Sequence, residues 1–339
     1  MNSKVRQEET PKHSKGLFSL PRACRCLLCY LWKGQHKSEE RFSKLHQWQA
    51  DALLLTVAWI WGSTFVLVKQ TVLRFPVYAF LALRFALAAA ILFLLFGRRL
   101  RLLRPRMVGA GIAIGLLLFG GYAFQTVGLQ YTTASKAGFI TGLSVVIVPF
   151  LSALWLKRVP ERQVLLGVAL SIIGLALLTL ERDLTLARGD LIVLGCAFCF
   201  ALHITAVSLF APQTDALALT TVQISAVALF SSLAALTTAN WKWPIPNRVF
   251  QAAVFTGVLA TTLAFTIQNN VQTRTTATHT ALIFATEPVF AALFGYFLAG
   301  ERLTKTGLVG CGLILLGMIC AEWPSSSPKT LDNHRGEIG

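Results

Sequence analysis

Long apolar stretches recur along most of the chain and are separated by short polar joints. Each is about 17–23 residues long, which is enough for a helix to cross roughly 30 Å of hydrocarbon. Lipid admits only helices or closed barrels as spanning structures, and these runs are continuous rather than alternating, so they predict helices. Ten spans are predicted, at 50–70, 76–96, 107–128, 137–156, 163–180, 190–210, 217–237, 249–268, 279–299 and 305–321. The predicted fold class is therefore an all-α integral membrane protein with ten transmembrane helices.

The composition narrows the class of protein further. Hydrophobic residues make up 55% of the 339 residues and charged residues 14%, against about 25% charged in an ordinary soluble domain, yet the formal net charge is +16. Such an apolar chain needs an apolar solvent, and this argues against a soluble enzyme, a nucleic-acid binder and a disulfide scaffold. The basic excess must then lie outside the spans.

Charge is concentrated at the beginning of the chain and in alternate joints. Residues 1–48 hold ten Lys/Arg and are expected to form a basic, disordered cytoplasmic tail, while residues 323–339 form a second polar tail. If the first tail is cytoplasmic, the segments on its side of the membrane carry 21 Lys/Arg and those on the other side nine. The excess of positive charge on the cytoplasmic side predicts that both termini are cytoplasmic.

The two halves of the chain can be laid over each other. At an offset of 139, Asp51 meets Asp190, and the same offset pairs Thr64 with His203 and Arg84 with Gln223. At an offset of 143, Gln125 meets Gln268, Gly167 meets Gly310 and Gly174 meets Gly317. Five spans per half is an odd number, so the halves, residues 49–181 and 189–322, would be inverted in the membrane. Inverted repeats are typical of secondary transporters, whose substrate site lies between the halves.

Several short segments, in this order, resemble one known family. They are WGSTF (61–65), LRFALAA (83–89), KAGFITGLSVVIVPFL (136–151), FALHI (200–204), LTTVQ (219–223) and ALIFATEPVFAALFGYFLAGERLTKTGLVGCGLILLG (281–317). Together they resemble the EamA-type ten-helix permeases of the drug/metabolite transporter superfamily over residues 50–322. One departure is Arg158, which stands where the family has an acidic residue after the fourth span, whereas Glu301 keeps the acidic residue after the ninth.

The resemblance implies a secondary active transporter that moves small metabolites, such as amino acids, or toxic organic compounds. It also implies alternating access and the cytoplasmic membrane of a bacterium, and proton exchange is a plausible driving force. The expected partners are the lipid bilayer and a small-molecule substrate, with no nucleic acid and with a homodimer left open. No cofactor and no metal site are predicted.

Three ionisable residues lie well inside predicted spans, where their burial costs several kcal/mol unless they face a protein interior or water. Glu287 is central in the ninth span, just before Pro288, which can open that helix locally. A carboxylate there could carry a proton through a transport cycle, or could be held permanently by a cation or hydroxyl. Arg84 could pair with Glu287 or bind a carboxylate of the substrate. It could also hold helices together through hydrogen bonds, or snorkel, which means that the side chain extends its charge to the membrane interface. His203 could shuttle protons or simply bond a neighbour.

The repeat extends this set of candidates for a substrate and proton pathway. Gln223 and Thr64 are the repeat counterparts of Arg84 and His203, which predicts a shared cavity near the axis that relates the halves. Trp61 could form an aromatic wall of that cavity or face lipid. Gln125 and Gln268, near span ends, could line its vestibules or cap helices.

Two further positions are candidates for a gate. Lys136 and His279 begin the fourth and ninth spans at matched positions, where a gate role and interfacial anchoring both fit.

Two other functions stay open. A membrane thiol oxidoreductase would use Cys196 and Cys199, and a passive channel would need no coupling. The sequence contains no H-E-x-x-H, G-x-S-x-G or P-loop motif, and this argues against an enzyme and against ATP-driven transport.

Overall fold

The structure, a computed structural model, describes residues 47–132, 134–155, 161–179, 188–238, 244–300 and 305–322. These residues are helical nearly throughout. The α-helices are α1 (Gln47–Val72), α2 (Val77–Phe96), α3 (Pro105–Gly128), α4 (Ala134–Gly142), α5 (Ser144–Trp155), α6 (Arg162–Thr179), α7 (Arg188–Phe210), α8 (Ala216–Thr237), α9 (Asn247–Phe255), α10 (Ala264–Val271), α11 (Ala277–Phe284), α12 (Glu287–Ala299) and α13 (Lys305–Glu322). A π-helical segment, Thr256–Leu263, joins α9 to α10.

Eight helical stretches of the described chain are long and apolar enough to cross a membrane. They correspond to eight of the ten predicted spans, with α4 and α5 forming one stretch, α9 and α10 another, and α11 and α12 a third. The fifth and tenth predicted spans fall on α6 and α13, whose apolar parts, Arg162–Gly174 and Lys305–Gly317, are shorter. An all-helical membrane protein is therefore confirmed, while the number of ten spans stays a prediction. Residues 1–46 and 323–339, which contain both predicted tails apart from Gln47 and Trp48, lie outside the described residues.

Large apolar side chains cover the outside of the helices. Leu94 is 84% exposed, Phe150 73% and Phe297 70%. In water such a surface would be an aggregation hazard, but in a bilayer it is the surface that contacts lipid. The polar side chains that the helices bury are therefore turned inward.

The helix pair α6 and α13 packs through glycines in a reciprocal way. A Cβ added at Gly174 would lie 2.6 Å from the carbonyl oxygen of Gly310, and one added at Gly317 would lie 2.6 Å from that of Gly167. Since Gly174 is the repeat counterpart of Gly317 and Gly167 of Gly310, the two contacts are equivalent under the repeat. Small residues allow the two backbones to approach this closely.

Two predicted spans are broken near their middle. In the ninth, α11 ends at Phe284 and α12 begins at Glu287, so the expected local opening beside Pro288 is confirmed. In the fourth, α4 ends at Gly142 and α5 begins at Ser144, a break that the sequence did not predict. The interruption is a single residue, Leu143, whose backbone N–H still donates to the carbonyl oxygen of Phe139 at 3.2 Å. At the offset of 143, Ser144 is the repeat counterpart of Glu287, so the two breaks are equivalent.

Candidate functional site

A cavity of about 720 Å³, a volume that includes the open space at its mouth, lies between the helices at the level of the two breaks. Ser144 and Glu287, the first residues of α5 and α12, both line it. Interrupted helices in transporters commonly lie at the substrate site. The cavity is thus positioned by the same interruptions that the repeat relates.

Seven of the eight residues predicted for the pathway line this cavity. They are Trp61, Thr64, Arg84, Gln125, His203, Gln268 and Glu287. The eighth, Gln223, bonds directly to one of them, because its Oε1 lies 3.1 Å from Nε2 of His203. The structure therefore brings the predicted set together, and the part that each residue plays in transport stays a prediction.

Arg84 is held from three directions. Its Nε donates to Oγ1 of Thr261 at 2.9 Å, and its Nη2 lies 3.3 Å from the hydroxyl of Tyr122 and 3.5 Å from the carbonyl oxygen of Ala260. The guanidinium carbon is also 4.6 Å from the centre of the Tyr122 ring and 5.1 Å from that of Phe85, distances typical of cation–π contacts. Arg84 is only 3% exposed, so it does not snorkel.

The predicted ion pair between Arg84 and Glu287 is not formed among the described residues. The π-helical segment offers Arg84 a different set of partners, since Ala260 and Thr261 both belong to it. The guanidinium group of Arg84 and the carboxyl group of Glu287 therefore lie apart on the wall of one cavity. The contacts of Arg84 use Nε and Nη2, which leaves the two N–H groups of Nη1 to donate to a ligand.

Trp61 belongs to an aromatic wall of the cavity and does not face lipid. Its ring centre lies 4.9 Å from that of Phe284 and 5.3 Å from that of Phe265, and its Nε1 donates to the carbonyl oxygen of Ala260 at 2.8 Å. Trp61 and Arg84 thus share one acceptor on the π-helical segment. π-helical turns are rare and are often found at functional sites.

The polar residues of the cavity differ in how fully they are bonded. Gln125 donates from Nε2 to Oγ1 of Thr141 at 3.2 Å, so it bridges helices across the cavity rather than capping one. Gln268 donates to Oε1 of Gln272 at 2.9 Å, but its own buried Oε1 has no hydrogen-bond partner among the described residues. A buried acceptor without a partner is costly, and a donor on a ligand would satisfy it.

Of the two gate candidates, the structure describes the side chain of His279. His279 lies near the start of α11, and its Nε2 is 2.8 Å from Oδ1 of Asp51 in α1. Its side chain is 14% exposed and belongs to a contact between helices, which goes beyond interfacial anchoring. The side chain of Lys136 lies outside the described residues, as do Arg158, Glu301 and the cysteines at 24, 26 and 29.

Cys196 and Cys199 contact different helices. Sγ of Cys196 lies 3.7 Å from Oγ1 of Thr141 in α4, whereas Sγ of Cys199 faces Gly120 in α3. Both are free thiols, and neither lines the cavity. A dithiol reaction would need the two sulfurs to meet at a site that admits a partner, and this arrangement does not favour it.

Several cavity residues were not predicted from the sequence. They include the aromatic side chains of Phe65, Tyr122, Phe200, Phe265 and Phe284 and the hydroxyl groups of Thr141 and Ser144. Aromatic residues inside apolar runs carry no signal of their own, because lipid and protein interior are equally apolar. Ser144 could have been found, since the repeat aligns it with Glu287.

Comparison with known proteins identifies the family. Residues 48–180 and 187–322 each match the EamA-like transporter family. An uncharacterized transporter of Archaeoglobus fulgidus is 36% identical over 270 residues, which cover 80% of this chain and 84% of the relative. The uncharacterized transporter YyaM of Bacillus subtilis is 28% identical, with 82% and 94% of the two chains covered.

Two more distant comparisons extend this result. An S-adenosylmethionine/S-adenosylhomocysteine transporter of Chlamydia muridarum is 24% identical, with 82% of this chain and 93% of that protein covered. A solved crystal structure aligns with a TM-score of 0.67 at 20% identity, covering 81% of this chain and 96% of its own, and it shows the fold alone. The resemblance noted in the sequence motifs is confirmed: the chain belongs to the EamA-like transporter family and is a multi-pass membrane transporter.

Proposed function

We propose that this protein is a secondary active transporter of small zwitterionic metabolites of the amino-acid type, and that it works by alternating access around the cavity. The observation that carries the proposal is the separation of Arg84 and Glu287 on the wall of one cavity. A guanidinium with free N–H groups suits a carboxylate of the substrate. The unpartnered Oε1 of Gln268 suits an ammonium group, and the aromatic wall suits an apolar side chain.

The carboxylate of Glu287 is proposed to carry the coupled proton. It stands at a helix break at bilayer depth, and it is the one carboxylate among the described residues that line the cavity. Ionisable groups at that depth are costly and are typical of proton relays in transporters. His203, bonded to Gln223, is a second titratable group on the same wall.

The two halves are proposed to be inverted repeats that form ten spans, with both termini cytoplasmic. Two family matches of similar length and the reciprocal glycine contacts of α6 and α13 support the repeat. In this arrangement α6 and α13 are the fifth and tenth spans. The relatives from bacteria and archaea support a cell membrane as the location, and we propose the bacterial cytoplasmic membrane.

The test is uptake and counterflow in proteoliposomes that contain the purified full-length chain. Radiolabelled amino acids and S-adenosylmethionine are supplied, the latter because it carries the ammonium and carboxylate groups of an amino acid and because one relative is a transporter of it. We expect saturable flux that unlabelled substrate on the opposite side accelerates and that a pH gradient drives. Flux that does not saturate and shows no counterflow would identify a channel instead. Activity lost on replacing both Cys196 and Cys199 with serine would favour the thiol reaction.

A further inference from the structure

Two clusters of polar side chains lie at opposite ends of α1. At the first end, Oδ1 of Asp51 accepts hydrogen bonds from Nε2 of Gln47 at 3.0 Å and from Nε2 of His279 at 2.8 Å. This first cluster joins the start of α1 to the start of α11. The backbone N–H of His279 in turn donates to the hydroxyl of Thr276, which fixes the start of α11.

At the second end, Thr132 connects three elements. Its hydroxyl donates to Oδ1 of Asp190 at the start of α7, and its carbonyl oxygen accepts from Nζ of Lys69 near the end of α1 at 3.1 Å. A neighbouring bond from Nε2 of Gln130 to the carbonyl oxygen of Val72 closes the same junction. This second cluster joins the end of α1 to the α3–α4 connection and to α7.

The cavity lies between the two clusters. Asp51 and Lys69 are about 27 Å apart along α1 at 1.5 Å per residue, which is close to the thickness of the hydrocarbon core. Trp61 and Thr64 stand between them on the same helix and line the cavity. The clusters therefore hold helix contacts on either side of the cavity, at the two ends of a helix that lines it.

The repeat relates the two clusters to each other. Asp51 and Asp190 are repeat counterparts at the offset of 139, and α11 and α4 occupy equivalent places in the two halves. Asp51, at the start of the first half, contacts the start of α11, which belongs to one broken span. Asp190, at the start of the second half, contacts the connection that leads into α4, which belongs to the other broken span. The two contacts lie at opposite ends of α1. Two equivalent contacts at opposite ends are what an alternating mechanism needs, since one must open while the other stays closed.

Both clusters are intact in this structure. We infer that the Asp51–His279 cluster and the Thr132–Asp190 cluster belong to the two gates of the transport cycle, and that each must break before its own end of the cavity opens fully. The inference rests on the proposed alternating access and adds the residues that control it. Breaking one cluster removes the contacts that close that end, so the population shifts towards the conformation open there. The cavity itself is unchanged, because none of these side chains lines it.

The test follows the accessibility of one cavity position from each face of the membrane. Ser144→Cys is introduced into the full-length chain after its seven native cysteines are replaced, and a membrane-impermeant methanethiosulfonate is applied from one face at a time. Asp51→Ala should raise the labelling rate from the Asp51 end by about threefold or more and lower it from the other end. Thr132→Val should do the opposite.

Two further variants keep the test decisive if Asp51→Ala folds poorly. Asp51→Asn retains an acceptor oxygen and should label like the parent. In a chain with Asp51→Cys and His279→Cys, a short bis-methanethiosulfonate, which forms a disulfide with each thiol, should abolish labelling from that end. A reductant that cleaves the two disulfides, and is then removed, should restore it. Asp215→Asn is the matched control, because the ion pair of Asp215 with Arg99, at 2.7 Å, lies away from the cavity.

The outcomes separate the two proposals. Labelling rates that none of the cluster variants changes would overturn the gates and leave alternating access standing. If Asp51→Ala or Thr132→Val raises the labelling rate from both faces together, alternating access itself is overturned, because opening one end then does not close the other. A shift of opposite sign for the two clusters supports both.

Discussion

The indole Nε1 of Trp61 donates a hydrogen bond to the carbonyl oxygen of Ala260 at 2.8 Å, which ties α1 to the π-helical segment. In a regular α-helix the carbonyl of residue 260 would be used by the N–H four residues later. The π-helical turn changes this pairing and lets side chains from other helices reach the backbone. Trp61 and Arg84 therefore take their positions from one irregular turn.

Trp61→Phe should weaken substrate binding while the aromatic wall is retained. The change removes one buried hydrogen bond, worth about 1 kcal/mol, and we expect the KM for transport to rise about fivefold. The measurement is initial uptake rate against substrate concentration in proteoliposomes. Trp59→Phe is the matched control, since Trp59 is 48% exposed and lies outside the cavity. Equal effects of the two changes would contradict the role given to the indole N–H.

Thr261→Val should release Arg84 from its position. The substitution conserves shape but removes the hydroxyl that accepts from Nε of Arg84, and hydrogen bonds to charged groups are worth about 1.5–3 kcal/mol. We expect the affinity for the substrate, measured by equilibrium binding in detergent, to fall about tenfold or more. Thr262→Val is the control, because the Thr262 hydroxyl donates to the carbonyl of Gly257 on the same segment. An unaffected affinity in Thr261→Val would show that Arg84 needs no such support.

Glu287→Gln should separate proton coupling from substrate exchange. Glutamine keeps the size and the polarity of the side chain but cannot take up and release a proton. We expect uptake driven by a pH gradient to be lost, while counterflow without a gradient stays within about threefold of the parent. Asp215→Asn serves as the control carboxylate outside the cavity. Unchanged dependence on the pH gradient in Glu287→Gln would remove the proton-carrier role.

Gly174→Ala and Gly317→Ala should destabilise the protein to a similar degree. Each added Cβ would lie 2.6 Å from a carbonyl oxygen of the facing helix, so α6 and α13 must separate. Overpacking of this kind costs about 1–3 kcal/mol, and a lower Tm in detergent is the expected readout. Gly312→Ala is the control on α13, since nothing lies within 4 Å of the added atom. A normal Tm for one of the pair and a low Tm for the other would argue against equivalent contacts.

The sequence predicted the charged and amide residues of the cavity because each stands out against an apolar run. Glu287, Arg84 and His203 needed no structure to be noticed, and the repeat added Gln223 and Thr64. The aromatic wall was not predictable in this way, since a phenylalanine that faces a cavity and one that faces lipid look alike in the sequence. The partners of Arg84 were missed for another reason: the predicted ion pair assumed regular helices, and the π-helical turn supplied Thr261 and Ala260 instead.

The hydrogen-bond partners of the proposed gate residues could not be predicted from the sequence. Asp51 and Asp190 appeared in the repeat alignment but gave no indication of their partners. His279 lies 228 residues from Asp51, and no local pattern encodes a contact at that separation. The repeat alone limits where such partners can lie, because a contact found in one half implies a similar contact in the other.

The π-helical segment also makes the two halves unequal. The stretch Asn247–Val271 has 25 residues, whereas α3, its counterpart in the first half, has 24 and is α-helical throughout. A carrier made of two identical inverted halves would have two end states of equal free energy, each the image of the other. The π-helical segment that bonds to Arg84 is one of the differences that remove this degeneracy. The resting protein should therefore favour one side of the membrane even without a gradient, while the gradients of substrate and coupled proton still set the direction of net transport.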